Sequence, residues 1–552
     1  MSKLSSILPS QRFWITIKSI GHKRCLHTTN KYQQEHNYIN WVKPSIGQDS
    51  GLQIYNCVAK KNVPLIFPST DYITWYTCGP TVYDSAHLGH ASCYVKLDII
   101  QRIIRDYFKL NLVTAMNITD IDDKIIAKSK ETGVNWQEIA RFYETEYWAD
   151  MKKLNVSEPN LKIRVTEHMP KIIAFIENVI AKDYAYCGDD KSVYFKVQNF
   201  PYYGKLQKLN LTAVETTVTP TTVGAVNKMS ITDFALWKAQ KTPDEPAWAA
   251  PWSNGRPGWH IECSVLASFL FGNKIDFHAG GVDLRFPHHE NEEAQCCVYH
   301  NTKQWVNYWV HTGHLNVKGQ TEKMSKSLKN TISIAEMLSV YTADEFRMAC
   351  ALSNYRNAME YGDELMQTAR ATLNKFKDFD KDCQAYLQGK KKSVNLDGIE
   401  ILKNLSHVKR QVDEAIKNDF DTSHVIQLLL EHNTNISRVI NSGTDTGLTT
   451  TSCLDTIAAV SNYMQQILRT FGFAFTMQNA ADSVISDCHV NVNELLEDLL
   501  RSRKIIRDRA IATKNNKLFE ICDELRNCLQ SHGIEIRDHS NGSSWNFTGN
   551  KK

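Results

Sequence analysis

The sequence predicts an α/β fold: a doubly wound parallel sheet interrupted by an insertion and followed by a mostly helical C-terminal region. Three observations predict it. Tyr72, Ile73, Trp75 and Tyr76 form an apolar, β-branched and aromatic run suited to a buried strand, and Cys78-Gly79-Pro80 breaks it. An amphipathic run from Tyr94 to Tyr107 reads as a helix, and a second apolar run, Leu112 to Met116, ends in Asn117-Ile118-Thr119-Asp120. Helical periodicity then dominates beyond residue 331. Strand, turn of small residues, helix and strand make a βαβ unit. Its ligands belong where the strands end and the helix begins.

In chain order, residues 1–35 stand apart. The first thirty carry Lys3, Arg12, Lys18, Lys23 and Arg24, with no acid before Glu35, which is the composition of a mitochondrial targeting presequence. Residues 36–153 form the first half of the sheet domain. Their lead-in, GLQIYNCVAKKNVPLIF, alternates as an edge hairpin does; DDKIIAKSKETG reads as a helix ending at Gly133, and NWQEIARFYETEYWADMKKL as another. Residues 154–250 read as an inserted segment with a helix from Met169 to Ala181, a strand-like stretch from Ser192 to Val197 and a Thr- and Val-rich polar run from Leu211 to Val226. Residues 251–330 return to the sheet. They begin with an aromatic, Pro- and Gly-rich wall, then give a short strand, Ile275 to His278, a turn at Gly280-Gly281, a helix after Pro287 and a strand from Tyr308 to His311. Residues 331–386 are helices leaving the core, residues 387–480 a helical domain entered through the polar LQGKKKSVNLDG, and residues 481–552 a basic unit.

Composition bounds the function. A chain of 552 residues has room for three or four domains. With 42% hydrophobic and 22% charged residues it is an ordinary globular chain, and no apolar run reaches the ~18–20 residues of a membrane span. Fourteen cysteines are scattered without CxxC spacing, so neither a disulfide scaffold nor a zinc ribbon is indicated. The formal charge is +4, and five of the cations lie in the first thirty residues, so nucleic acid would be bound through local basic patches.

The turn of the βαβ unit holds His87-Leu88-Gly89-His90. Gly89 lets backbone approach a phosphate, and imidazole N–H groups can donate to phosphate oxygens. Far along the chain, Lys323-Met324-Ser325-Lys326-Ser327 lies between Gly319 and Asn330 and suits a loop that lays ammonium groups on a polyphosphate. Asp120, Asp122 and Asp123 are read as ribose contacts and helix N-terminal charges rather than as metal ligands. Cys78 lies in the first βα turn, Cys263 ends GWHIEC, and His288 and Glu292 at i and i+4 share a helix face. Two thiolates, an imidazole and a carboxylate are a borderline-soft set suited to Zn²⁺.

HLGH and KMSKS together resemble the paired signatures of class I aminoacyl-tRNA synthetases, ATP-using enzymes with a Rossmann-like catalytic domain. YTCGPTVYDSAHLGH, NITDIDDKI, GRPGWHIECS, FPHHENE and EKMSKSLKN are similar, more specifically, to the cysteinyl-tRNA synthetase family, strongly from about residue 70 to 370 and more weakly to the C-terminus. The presequence makes the resemblance one to a mitochondrial, matrix-located member. The resemblance implies one zinc on Cys78, Cys263, His288 and Glu292, joined by the substrate thiolate. It implies ATP, with Mg²⁺, on His87, Gly89, His90, Lys323 and Lys326, the catalytic groups being His87, His90 and the two lysines. It implies L-cysteine against Gly79, Thr119, Trp259 and His288, with Asp283 on the α-ammonium. It also makes residues 331–386 stem-contact helices, 387–480 an anticodon-binding-type domain and 481–552 a tRNA-binding unit. Lys329 departs from the family's usual Gly after KMSKSL.

The implied reaction is adenylation of cysteine by ATP, then transfer to the terminal adenosine of tRNA(Cys), by a monomer with no membrane partner. Cysteine and serine differ by one atom, which an apolar pocket reads poorly; a metal that binds thiolate can read it directly. The C-terminal residues 501–552 hold eleven Lys or Arg against six Asp or Glu, RSRKIIRDRAIATKNNK suits phosphates, and Trp545 could stack on a base. Two rivals are a ligase passing the adenylate to an amino sugar and an inactive tRNA-binding paralogue. The presequence and long helical C-terminus oppose the first; intact HLGH, KMSKS and four metal ligands oppose the second. A side activity linked to the family, cysteine persulfide formation with pyridoxal phosphate on Lys124, Lys128, Lys323 or Lys326, is left open by the sequence.

Overall fold

The computed structural model describes residues 40–67, 71–207, 227–318, 331–389, 396–442, 451–476, 492–539 and 542–547. The expected presequence, the KMSKS lysines Lys323 and Lys326, and Lys329 lie outside them. The chain divides into two compact units between Met477 and Gln478. Among the described residues, no helix is long and apolar enough to cross a membrane.

The first unit opens with the expected hairpin, β1 (Gln48–Asn56) and β2 (Lys61–Phe67), paired antiparallel. The βαβ unit follows as β3 (Ile73–Thr77), α1 (Leu88–Arg102) and β4 (Leu112–Ile118). Tyr72 is outside the strand and half exposed, and the last helical turn, Ile103–Tyr107, is a π-turn. Then come α2 (Asp123–Thr132), closed by Gly133 at φ 71°, α3 (Trp136–Lys153) and β5 (Leu161–Arg164). After α4 (Met169–Ala181) the chain builds β6 (Ala185–Cys187), β7 (Val193–Phe195), β8 (Phe234–Ala239) and β9 (Gly255–Pro257), a separate four-stranded antiparallel sheet. It returns through α5 (Trp259–Phe271), β10 (Ile275–Gly281), α6 (Glu290–His300) and β11 (Val306–Thr312).

The main sheet has the order β11-β10-β3-β4-β5, all parallel. β5 falls within the 154–250 stretch, which is thus shared between the two sheets. Successive residues leave the strands on opposite faces, and both faces are covered. Trp75 and Tyr308 enter one core, Tyr76 and Trp309 the other. That is why these strands read as continuous apolar runs rather than as alternation. β3, the first strand of the sheet in the chain, pairs with β4 on one side and β10 on the other. The strand order reverses there, and a crevice opens at the strands' C-terminal ends.

One sequence expectation is corrected here. Gly280-Gly281 is not a turn: β10 runs through both, opposite His311 and Thr312 of β11. A Cβ on Gly280 would sit 2.9 Å from Leu284 Cδ1 and 3.1 Å from His289 Cε1. The glycine serves close packing, which local sequence cannot distinguish from a turn.

Beyond the sheet come β12 (Leu315–Val317), α7 (Ile334–Val340), α8 (Ala343–Ala351) and β13 (Met359–Tyr361), then α9 (Asp363–Leu387), α10 (Gly398–Lys417), α11 (Thr422–Ser442) and α12 (Thr451–Thr470), which pack on one another. A buried ion network ties them to α1. Fully buried Arg347 of α8 donates from Nη1 to Asp98 Oδ2 at 2.6 Å and to the Phe471 carbonyl at 3.1 Å. Its Nη2 reaches the carbonyls of Leu154 and Asn155 at 2.9 and 2.7 Å. Arg102 adds a 2.8 Å bond to the same carboxylate. Gly472, at φ +82°, leaves room for both guanidinium groups.

The second unit is α13 (Val492–Thr513), α14 (Asn516–Ser531) and an antiparallel hairpin, β14 (Ile534–His539) with β15 (Gly542–Phe547), which the sequence did not announce. Asp538 on the hairpin gathers Arg503, Arg507 and Arg526 from the two helices. Trp545, which the sequence offers as a residue that could stack on a base, donates its Nε1–H to Glu497 at 3.1 Å.

Burial pushes the Asp98 carboxyl up, but Arg347 and Arg102 outweigh it and hold it below the usual range. Removing one partner of such a buried pair leaves an uncompensated charge, so Asp98→Asn or Arg347→Met should each cost about 3–5 kcal/mol in denaturant unfolding, and both together less than the sum. The depressed group stabilises the fold fully above its unfolded pKa. The gap between wild type and Asp98→Asn should therefore stay constant near neutrality and close below about pH 4. A gap that widens on acidification would contradict the assignment.

Candidate active site

The crevice at the β3–β10 switch point is lined by groups from four segments. Cys78 follows β3 directly; its N–H donates to the Ala279 carbonyl of β10 at 3.1 Å, and its own carbonyl accepts from Tyr94 of α1 at 3.1 Å. Cys263 sits in the second turn of α5. His288 and Glu292 lie across the junction between the π-turn Arg285–His289 and α6. All four are buried, and one ligand atom from each lies within 4.8 Å of the others. Cys78 Sγ is 3.6 Å from Cys263 Sγ and 3.5 Å from Glu292 Oε1, and His288 Nε2 is 3.0 Å from Glu292 Oε1. A tetrahedron with zinc–sulfur bonds of ~2.3 Å has a sulfur–sulfur edge of about 3.8 Å. The donor set and its spacing therefore fit a zinc-type cation.

The electrostatics point the same way. Burial raises the Cys263 thiol, yet its hydrogen bonds with Cys78 and His288 bring it down to about 6. Burial also opposes the Glu292 charge, but His278 and His288 hold that carboxyl at about 2. Burial disfavours charge on His288, but Glu292 carries that imidazole up to about 10. The pocket thus gathers anions and recruits a proton to balance them, a role a divalent cation fills better.

Sequence reasoning passed over the groups around these four. His260 Nδ1 lies 2.9 Å from His288 Nδ1, so the His288 imidazole is held from behind. His278 Nε2 lies 2.8 Å from Glu292 Oε2. His289 Nε2 lies 3.4 Å from Cys78 Sγ, and its Nδ1 is 2.9 Å from His311 Nε2. These histidines come from α5, the π-turn and two strands. The doubled His in FPHHENE and the lone His in IDFHAGG were visible, but nothing local says that they converge.

The other expected residues are placed as follows. Gly79 has no room for a side chain, because a Cβ would lie 1.6 Å from the Asn117 carbonyl oxygen; its N–H donates to Asn117 Oδ1 at 2.9 Å. Thr119 Oγ1 bonds Glu262 Oε2 at 3.1 Å, and burial lifts the Glu262 carboxyl well above the ordinary range. Trp259 opens α5, is 39% exposed, and lies with its ring 4.3 Å from that of His288, at the mouth. Asp283 is on the short turn after β10, 3.8 Å from His314 Nε2. Asp122 caps α2, Asp120 binds Thr166, and Asp123 pairs with Lys238 and Arg256. Lys128 reaches Tyr143 Oη at 2.8 Å and Asp84 at 3.4 Å, and Lys124 lies over the Tyr83 ring.

The HLGH turn is the N-terminus of α1. His87 is the N-cap, and its Nδ1 accepts from the Gly89 N–H at 3.1 Å; the His87 N–H in turn donates to His90 Nδ1 at 3.2 Å. The rings stack with centroids 3.9 Å apart. Both Nδ1 atoms act as acceptors, so each neutral ring carries its proton on Nε2 as a donor. A Cβ on Gly89 would lie 2.8 Å from the His87 ring. Leu88 N–H donates to the Ile332 carbonyl, which places the segment after the KMSKS stretch against this turn.

Comparison with known proteins agrees with this geometry. Residues 67–371 match the family described as tRNA synthetases class I (C) catalytic domain. The chain is 39% identical to a probable mitochondrial cysteine–tRNA ligase of Xenopus tropicalis, over 93% of this chain and 92% of the relative. It is also 39% identical to a cytoplasmic cysteine–tRNA ligase of Dictyostelium discoideum, over 92% and 80%. Among solved structures, a methionyl-tRNA synthetase of Mycobacterium tuberculosis bound to methionyl-adenylate superposes with a TM-score of 0.58 at 12% identity, covering 74% of this chain and 93% of that one, a likeness of fold. By sequence, the chain belongs to the cysteinyl-tRNA synthetase family of class I.

Proposed function

We propose that this chain activates L-cysteine with ATP and transfers it to the 3′-terminal adenosine of tRNA(Cys), and that it does so in the mitochondrial matrix. The observation that carries the substrate is the buried pair of sulfurs beside an imidazole and a carboxylate at the sheet's switch point. Cys78, Cys263, His288 and Glu292 would hold a zinc ion, which would supply a soft Lewis acid with affinity for a thiolate and little for a serine hydroxyl. Trp259 stands where it can close over the bound side chain. Gly79 and Thr119 border the same crevice, and Asp283 is assigned the α-ammonium.

The cysteine carboxylate attacks the ATP α-phosphorus in line, and pyrophosphate leaves with Mg²⁺. No side chain need act as nucleophile. The Nε2–H groups of His87 and His90 and the ammonium groups of Lys323 and Lys326 are assigned to the phosphates. They stabilise the charge that builds there, in a site that needs no rearrangement at the moment of reaction. The contact between Leu88 and Ile332 supports this, because Ile332 follows Lys326 closely in the chain and meets the helix N-terminus. A ribose hydroxyl of the tRNA then takes the cysteinyl group. The basic C-terminal unit is assigned to the tRNA.

Three outcomes test this reading. Purified protein should contain about one zinc per chain, exchange pyrophosphate with cysteine and not with serine, lose that exchange to a chelator and regain it with zinc. Zinc-free protein with full exchange, or equal use of serine, would remove the physical basis of the assignment. Lys326→Ala should lower the adenylation rate by roughly a hundred-fold or more while leaving cysteine binding without ATP nearly unchanged; normal exchange in this variant would remove the loop from the mechanism. The acid-free basic start supports the compartment. A reporter carrying residues 1–40 should enter mitochondria, and a uniformly cytosolic reporter would count against it.

A further inference from the structure

Two tetrads of buried ligand atoms overlap in the crevice. The outer one is Cys78, Cys263, His288 and Glu292. The inner one is Cys78, His278, His289 and Glu292, again with all four ligand atoms within 4.8 Å of one another. Cys78 is common to both, with Cys263 Sγ at 3.6 Å on one side and His289 Nε2 at 3.4 Å on the other. Glu292 is shared atom by atom: Oε1 faces His288 at 3.0 Å, and Oε2 faces His278 at 2.8 Å.

We propose that the inner tetrad is a second, weaker position for the same zinc-type cation, filled when the outer position is broken. This rests on the metal reading of the outer tetrad.

Charge limits the crevice to one ion at a time. The combined donors supply at most three anions, two thiolates and one carboxylate, so two divalent ions would leave a net positive charge buried among Tyr76, Trp305 and Trp309. The surroundings rank the two positions. A ligating imidazole needs its second nitrogen held. His288 has this from His260 at 2.9 Å, and His289 from His311 at 2.9 Å, but His278 Nδ1 is buried without a hydrogen-bond partner among the described residues. The outer set also has two sulfurs against one, which suits zinc better. Access differs as well. The outer set meets half-exposed Trp259, whereas the His278 and His289 rings lie 4.6 and 4.8 Å from buried Trp309. A metal in the inner position is closed off, as in structural sites, and cannot take a substrate thiolate.

The test uses the full chain with zinc, and with cobalt(II) as a spectroscopic probe. Wild type should hold about one metal, with a thiolate-to-cobalt charge-transfer band from two sulfurs. Cys263→Ser should keep at least half an equivalent of metal, show about half the band intensity, and fail to activate cysteine. Adding His288→Ala to that variant should leave the metal in place, because the inner position does not use His288. Adding His289→Ala instead should cut metal content at least ten-fold. Adding His278→Ala should do the same from a different strand, so a folding defect at one position does not decide the result. A metal-free Cys263→Ser protein overturns the proposal while leaving the zinc of wild type standing. So does a series in which His288→Ala empties the site and His289→Ala does not. Wild type without zinc refutes the outer reading first, which keeps the two failures apart.

Discussion

Two cysteine sulfurs, carried by segments 185 residues apart, have to arrive within 3.6 Å of each other in a buried site, and much of the catalytic unit is arranged so that they do. Buried thiols and a buried carboxylate are costly unless something compensates them. Here the compensation is collective, from His260, His278, His288 and His289 together. Cys78 is fixed by the end of β3 and its bond to β10, and Cys263 by α5. Glu292 is fixed by α6, which begins where the π-turn ends. Moving any one of these elements by an ångström would open the tetrahedral spacing that suits a soft cation.

That arrangement depends on sheet order. Because β3 lies between β4 and β10, the residues after β3 face a crevice rather than another strand. The N-terminus of α1 opens on the same side, with His87 and His90 holding their own turn through Nδ1 and presenting Nε2 as donors. The groups proposed here for sulfur and for phosphate thus share one backbone segment, residues 78–90. This is an economical solution for a reaction in which an amino acid carboxylate must be held in line with a phosphate. The glycines of that segment, Gly79 and Gly89, act by leaving space: one for the Asn117 backbone, the other for the His87 ring.

The helical part of the first unit is joined to this machinery by charge as well as by apolar packing. Asp98 and Arg102 on α1 meet Arg347 on α8 and the carbonyls of Asn155 and Phe471. The network spans the end of α3, the helix that carries the HLGH turn and the end of α12. The helical part is therefore tied by buried ion pairs to the helix that carries the HLGH turn. The second unit has its own ionic centre at Asp538, where three arginines from two helices converge on one carboxylate. That centre accounts for part of the positive charge that the sequence shows there.

The sequence alone determined the elements and the chemistry of their ends. The helix ending at Gly133, the helix from Met169 to Ala181 and the β1–β2 hairpin are local matters of periodicity, caps and breakers and came out where the residues put them; the βαβ unit formed as well, but its helix starts at Leu88, capped by His87, ahead of the expected Tyr94. The four residues of the outer tetrad could be named as candidate ligands because each lies in a short motif that the family resemblance makes specific. What only tertiary structure decided is where elements touch. Gly280-Gly281 runs on as strand because His289 and Leu284 pack against it, and β5 joins the main sheet because β4 offers it an edge. Trp545 meets Glu497 because a hairpin folds back on α13. The inner histidines His278 and His289 join Cys78 because β10 and the π-turn converge behind β3. Contacts of this kind couple residues far apart in the chain, and periodicity over ten or twenty residues carries no record of them.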